Sequence, residues 1–185
     1  HSAKDQGRNA YCFFEPSMNQ GAHQQLAMVQ DLRRALSLDQ FSLHYQPKMI
    51  APAGPLEGVE ALLRWEHPEL GAIAPSVFID IAEQSGLIDV IGPLVLEAAC
   101  REARHWQQTY PAARSLFVSV NVSPRQLRDG DLAEMVADVL RESGLPASRL
   151  HLELTETAVI GDEMLAAALL DKLHRTGVKV WLDDF

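Results

Sequence analysis

From Asp39 onward, strand-like and helix-like runs alternate along the chain, with one connection too short to fit the pattern. The strand-like runs fall at 41–49, 57–65, 116–122, 150–154 and 178–182, and helical stretches fill the long intervals between the later ones. Such alternation predicts βα units around a mainly parallel sheet. The exception is residues 50–56, seven residues that include Pro52, Gly54 and Pro55. A parallel crossover takes about a dozen residues or more, so the first two strands are predicted to pair antiparallel. The expected fold is α/β, a βα barrel or an open sheet with its first strand reversed.

The helix ends are legible in the same way. Pro75 and Ser76, with Ser76 as cap, open a helix that stops near Gly86. Pro93 suits the first turn of a helix running to about Gln108. Asp131 with Glu134 reads as a capping box, and Gly144 followed by Pro146 closes that helix. Gly161 and Asp162 open the last helix, which Gly177 ends. Ahead of the alternating region, Leu26, Val29, Leu32 and Leu36 form one apolar stripe, which predicts a helix over about 21–37. Periodicity alone reads that helix as packed on its own domain, with a connector to an upstream domain as the alternative. Residues 1–19 are polar and irregular apart from the apolar run at 11–14.

Acids outnumber bases 25 to 16, for a formal net charge of -9. That balance argues against binding to a DNA or RNA duplex or to an anionic membrane surface. It leaves room for one small phosphorylated ligand, because a metal ion reverses the local sign of a site. Cys12 and Cys100 show neither metal spacing nor a disulfide framework, which suits a reducing cytoplasm. The most apolar stretch, 86–100, is interrupted by Asp89, Pro93 and Glu97, so no membrane contact is expected of this segment. No leader pattern is visible in the first residues.

Strand parity places the polar residues. In 150–154 the three leucines share one face and Glu153 lies on the other, near the C-terminal end of the strand. In 178–183 the aliphatics lie opposite Asp183. Glu60, Leu62 and Arg64 share a face of the second strand, and Asn121 sits on the side away from Val118 and Val120. In α/β proteins, sites form at that end of the strands. Glu60, Asn121, Glu153, Asp183 and Asp184 are hard oxygen donors, suited to Mg²⁺ or Mn²⁺, with Ca²⁺ as a competitor. Asp183 and Asp184 reach one ligand together only if the strand ends there. Carboxylates clustered without a cation repel one another. Two divalent ions would relieve this and activate a water against a phosphodiester, whose phosphate Arg64 is placed to hold. Each carboxylate alone would be read as a turn or capping residue; the coincidence across four strands carries the reading. His44, His67 and His151 are expected to be packed or hydrogen-bonded rather than ligands, and His105 and Trp106 to lie in a helix.

These residues also resemble a known family. Glu60-Ala61-Leu62-Leu63-Arg64-Trp65 is similar to the signature of the EAL domain, the bacterial cyclic di-GMP phosphodiesterase. The resemblance continues through Tyr45-Gln46-Pro47, Pro75 to Ile79 with Ala82-Glu83, Asn121-Val122-Ser123, Glu153-Leu154-Thr155-Glu156 and Asp183-Asp184-Phe185, in the family's order. Residues 3–9 resemble the closing segment of a GGDEF (diguanylate cyclase) domain.

The resemblance implies a modified TIM (β/α)8 barrel with its first strand antiparallel, of which about five strands fall within this chain. It divides the sequence into the tail of an upstream GGDEF-like domain (1–20), a linker helix (21–38) and the N-terminal portion of an EAL domain (39–185). It implies metal-dependent hydrolysis of cyclic di-GMP to linear pGpG with two Mg²⁺ or Mn²⁺ ions, Ca²⁺ being inhibitory. Glu60, Asn121, Glu153, Asp183 and Asp184 would be metal ligands, and of these Glu60, Asp183 and Asp184 would be catalytic. Gln46, Leu62 and Arg64 would contact the dinucleotide, and Glu156 would steady the loop after Asp183-Asp184-Phe185. The expected partners are cyclic di-GMP, a second copy in a homodimer, and upstream GGDEF and sensor domains through which a parent protein would be anchored if membrane-bound. A barrel of this kind has eight strands, so the 185 residues alone are expected to lack turnover. The alternative function is a non-catalytic receptor that binds cyclic di-GMP and signals by changing shape.

Overall fold

The computed structural model describes residues 16–49, 54–128, 132–155 and 163–183, with side-chain surroundings given except at 16–23, 128, 163–166 and 183. Six strands, β1 (Phe41–Met49), β2 (Leu56–His67), β3 (Gly71–Ile73), β4 (Phe117–Val122), β5 (Leu150–Thr155) and β6 (Lys179–Asp183), form one sheet. Its order is β1-β2-β4-β5-β6, with β3 beside β2. The helices are α1 (Pro16–Ala35), α2 (Pro75–Ser85), α3 (Ile88–Thr109), α4 (Pro124–Arg128), α5 (Leu132–Ser143) and α6 (Glu163–Thr176).

The short connection has the predicted consequence. β1 runs antiparallel to β2, from Phe41 opposite Trp65 to Met49 opposite Leu56, with an irregularity between Lys48 and Met49. β2, β4, β5 and β6 are parallel neighbours. Four local features differ from expectation. β3 is an unforeseen sixth strand, three residues paired antiparallel with the end of β2 after Gly71 turns the chain at φ 69°. α3 begins at Ile88, so Pro93 lies inside the helix rather than in its first turn, where it forgoes one backbone hydrogen bond. α2 begins at Pro75 itself, and the residue before it, Ala74, supplies no side-chain cap, so Ser76 is not the cap. α1 begins at Pro16, five residues before the expected start, and ends at Ala35. Asp131, Gly161 and Asp162, read as helix starts, lie outside the described residues.

One face of the sheet carries the main core. Val118, Val120, Val122, Leu150, Leu152 and Leu154 meet Leu96, Ala99 and Cys100 of α3, Val136 of α5 and Leu173 of α6. The parity that sends these aliphatics to the helices sends Glu60, Asn121 and Glu153 to the other face. Where α3 runs out, Gln107 donates from Nε2 to the carbonyl of Leu116 at 2.9 Å, satisfying a buried acceptor just before β4. Gly58 faces the other way, and a Cβ there would sit 2.4 Å from the Phe117 ring. The glycine lets β4's aromatic ring lie directly on β2.

A second, smaller core joins α1 to the domain. Leu32 and Ala35 of α1 pack with Trp65, Phe78, Ala82, Leu87, Ile88 and Ile91. Trp65 is 1% exposed; its ring meets Phe41 at 5.8 Å and Phe78 at 5.7 Å, and its Nε1 donates to Gln40 Oε1 at 3.2 Å. The end of the amphipathic helix is thus seated on α2 and β2.

Cys100 is fully buried against α3's neighbours, and desolvation pushes its thiol from 9.0 up to about 12. Because the unfolded thiol ionises first, this group's contribution to stability falls as pH rises from 9.0 toward about 12 and is unaffected below. In a Cys12→Ser background, a thiol reagent at pH 8 is expected to label Cys100 only as fast as the protein unfolds. Labelling at the rate of a free cysteine would show that the α3 packing described here is wrong.

Candidate active site

Register, not sequence proximity, assembles the polar face. Gln46 of β1 lies opposite Glu60 of β2, Glu60 beside Ser119 of β4, Asn121 of β4 beside Glu153 of β5, and Thr155 of β5 beside Asp183 of β6. The parallel strands end together at this edge, so their side chains converge.

Glu60 and Glu153 are the centre of the group. Glu60 is 18% exposed; its Oε1 accepts a 2.8 Å hydrogen bond from Asn121 Nδ2, and its Oε2 lies 3.3 Å from Lys48 Nζ. Glu153 is 6% exposed and its Oε1 accepts from Lys48 Nζ as well. Its Oε2 is buried with no hydrogen-bond partner among the described residues. Burial alone would lower the pKa of Lys48, but the hydrogen bond and charge of Glu153, reinforced by Glu60, outweigh it and hold the ammonium above its ordinary 10.5. Lys48 is therefore a fixed cation held between two carboxylates.

The remaining expected residues are distributed around this pair. Leu62, Arg64, Asn121, Glu153 and Thr155 line a cleft of about 350 Å³ between the strand ends and the start of α2. Arg64 donates from Nη1 to the carbonyl of Leu63 at 2.9 Å, which leaves the rest of its guanidinium fork for an anion. Gln46 is exposed on the same face. Asp183 closes β6, while its side chain, Asp184 and Glu156 lie outside the described residues. A larger groove of about 510 Å³ runs past Leu43, Tyr45 and Arg101 on the helix-covered face and contains neither carboxylate.

Of the histidines, His67 accepts from the backbone N–H groups of Glu69 and Leu70 at 3.2 and 3.1 Å, as expected of a structural residue. His151 is buried between Phe117 and Trp181, at ring separations of 3.9 and 5.8 Å. Desolvation, with the charges of Lys179, Lys48 and Arg149, lowers its pKa to about 4, so near pH 7 it is an uncharged ring on the floor of the site. His44, expected to be packed or hydrogen-bonded, is exposed and so not packed. Trp106 lies in α3, its ring edge-on to Tyr45 at 4.7 Å.

Lys48 is the residue that sequence reasoning missed. It shares the parity of Gln46 on β1, and that was the available signal; its pairing with Glu153, 105 positions away, is set by the fold.

The donors fit a hard divalent cation. Two carboxylates and an amide converge, one buried carboxylate oxygen lacks a partner, and an ammonium already occupies the space between the acids. No group of three histidine, cysteine or acidic side chains is assembled among the described residues, so the acids of β6 and beyond would have to complete any two-ion site.

A mainly parallel α/β sheet with a reversed first strand defines a TIM-barrel-like domain, and the oxygen donors gather at its C-terminal edge, where sites of that class form. Residues 29–185 match the family model described as the EAL domain, and the chain belongs to that family. It is 46% identical over 185 residues to the bifunctional diguanylate cyclase/cyclic di-GMP phosphodiesterase MucR of Pseudomonas aeruginosa, covering 100% of this chain and 27% of that protein. It is 38% identical to the cyclic di-GMP phosphodiesterase PdeR of Escherichia coli, again over 100% of this chain and 27% of the relative. The solved MucR phosphodiesterase in complex with c-di-GMP is 43% identical and superposes with a TM-score of 0.82, over 86% of this chain and 64% of that one. The chain thus spans about a quarter of the length of these curated relatives.

Proposed function

We propose that this chain provides the first part of a metal-dependent phosphodiesterase site that hydrolyses cyclic di-GMP to pGpG in bacterial signalling. The observation that carries the reading is the convergence of Glu60, Asn121 and Glu153 from three neighbouring strands on one cation position, with a buried carboxylate oxygen of Glu153 unpaired. Relatives named cyclic di-GMP phosphodiesterases, and a solved relative holding c-di-GMP, support the choice of substrate.

In this reading Glu60, Asn121 and Glu153, with Asp183 and Asp184, hold two Mg²⁺ or Mn²⁺ ions. The ions, when bound, supply an activated water and neutralise charge building on the phosphodiester. Arg64 anchors a phosphate of the dinucleotide through its free N–H groups, and Leu62 and Gln46 present the adjoining surface of the cleft. Asn121, by donating to Glu60, fixes the orientation of that carboxylate before any ligand arrives. The ring stack of Phe117, His151 and Trp181, with His151 buried and uncharged at its centre, lies beneath the acids. Glu156 steadies the loop that follows Asp183-Asp184-Phe185. Ca²⁺ supports binding of the dinucleotide but not its turnover. The full-length protein acts as a homodimer, with residues 1–20 as the tail of a GGDEF-like domain upstream and 21–38 as a linker. The segment works in the cytoplasm; no helix among the described residues is long and apolar enough to cross a membrane.

The test is Glu60→Ala in the full-length polypeptide. The reading expects turnover of cyclic di-GMP in Mg²⁺ or Mn²⁺ to disappear. A wild-type protein that binds cyclic di-GMP without hydrolysing it, and whose binding survives Glu60→Ala in chelator, would instead be a metal-free receptor.

A further inference from the structure

We propose that Lys48 is a built-in placeholder cation, which holds the two metal-binding glutamates together in the ion-free protein and must leave before a divalent ion can bind. The inference rests on the metal-dependent reading above and concerns its regulation.

Three observations carry it. Lys48 Nζ touches both acids at once, donating to Glu153 Oε1 and lying 3.3 Å from Glu60 Oε2, so the convergence point of the two carboxylates is the point the ammonium fills. An ion coordinated by both acids needs that same point. Like-charged carboxylates this close repel one another unless a cation stands between them, and among the described residues Lys48 is the one cation the structure pairs with either of them.

The third observation is the direction of approach. Lys48 pairs in register with Gly58, two residues before Glu60 and nearer the N-terminal end of β2. Its side chain therefore reaches the acids from the floor of the sheet, whereas the cleft lined by Arg64 and Thr155 opens at the C-terminal strand ends. Lys48 is also the last regular residue of β1, with the register breaking between it and Met49. An ion entering from the cleft can push the ammonium back along its own stem without crossing the substrate's path. Its side chain is 33% exposed, so there is solvent for the released ammonium to enter.

A lysine in this position acts as a threshold. It protects the empty site from collapse by repulsion, and it weakens metal binding by the free energy of the contacts that must be broken. Metal affinity, rather than the chemical step, is what Lys48 sets.

The test reads metal binding without substrate, by calorimetric titration of Mn²⁺ into the full-length wild-type protein and into its Lys48→Met and Lys48→Gln variants. Loss of the competing ammonium is expected to tighten Mn²⁺ binding at least about tenfold in both variants. The melting temperature of the ion-free protein should fall, so that Mn²⁺ raises it further than in the wild type. Unchanged or weaker Mn²⁺ binding would overturn the proposal and make Lys48 a support or a substrate contact. Should either variant fail to fold, reductive methylation of the wild type decides: Lys48 is expected to react slowly in chelator and faster once Ca²⁺ is added. Equal rates would overturn the proposal. Failure of Mn²⁺ to bind the wild type at all would instead defeat the metal-dependent function itself, so the two failures are distinguishable.

Discussion

Glu153→Gln is expected to abolish turnover of cyclic di-GMP while leaving the fold as stable as before, or slightly more so. The carboxylate is nearly fully buried, and one of its oxygens has no partner among the described residues. An unpaired buried acceptor costs free energy, on the order of 1–3 kcal/mol, and is kept only where something other than stability requires it. Glutamine keeps the size of the side chain and its contact with Lys48 through the carbonyl oxygen, but removes the negative charge. On the proposed reading, a divalent ion then loses one of the two anionic ligands that the described residues supply. Metal assistance contributes several kcal/mol to reactions of this kind, so a fall of at least about 10³-fold in kcat/KM is expected, equivalent to about 4 kcal/mol. Steady-state assays across a Mn²⁺ titration, paired with thermal unfolding in chelator, check both halves. An active variant, or one whose inactivity is explained by unfolding, contradicts the account.

Trp65→Ala should behave in the opposite way. Trp65 belongs to the same strand as Glu60 but faces the helices, where it joins β2 to α1 and α2 and meets the rings of Phe41, His67 and Phe78 at tilted or edge-on angles. Removing a fully buried indole costs about 3–5 kcal/mol through lost contacts and the cavity left behind. For a chain of this size each kcal/mol moves the midpoint by about 2–4 °C, so the melting temperature should drop by about 10 °C. Metal binding at low temperature should be little changed, since the tryptophan lies on the other face of the sheet from the carboxylates. Trp65→Phe should recover most of the loss and leave the Gln40 side chain without its donor. A drop of only 1–2 °C for Trp65→Ala would mean that α1 is not seated on this core as described.

The two substitutions separate what the sequence shows from what it conceals. Alternating parity along β2, β4 and β5 was enough to divide Val59, Val118 and Leu152 from Glu60, Asn121 and Glu153, because a strand has only two faces. The seven-residue connection between the first strands settled their antiparallel pairing, because a chain that short has no room to cross over. Resemblance of ordered motifs supplied the family, and the match over residues 29–185 agrees with it. β3 escaped because three residues carry too little periodicity to read. The early start of α3 is not legible because Pro93 is itself a start signal, whereas packing of Ile88 and Ile91 against Trp65 and Phe78 extends the helix ahead of it. Lys48 escaped for a deeper reason. Its parity was visible, but its role depends on two carboxylates brought from β2 and β5, and a lone lysine in a strand reads as solvated surface.

The central claim is that these carboxylates serve a hydrolytic reaction on a cyclic dinucleotide. The most direct measurement is mass analysis of cyclic di-GMP incubated with the full-length protein and Mg²⁺ or Mn²⁺ in ¹⁸O-labelled water. The account predicts pGpG carrying a single ¹⁸O on its terminal phosphate, formed in either ion and suppressed by chelator or Ca²⁺. Cyclic di-GMP recovered intact and unlabelled in both ions, from protein shown to bind it, would contradict that claim and leave a receptor in its place.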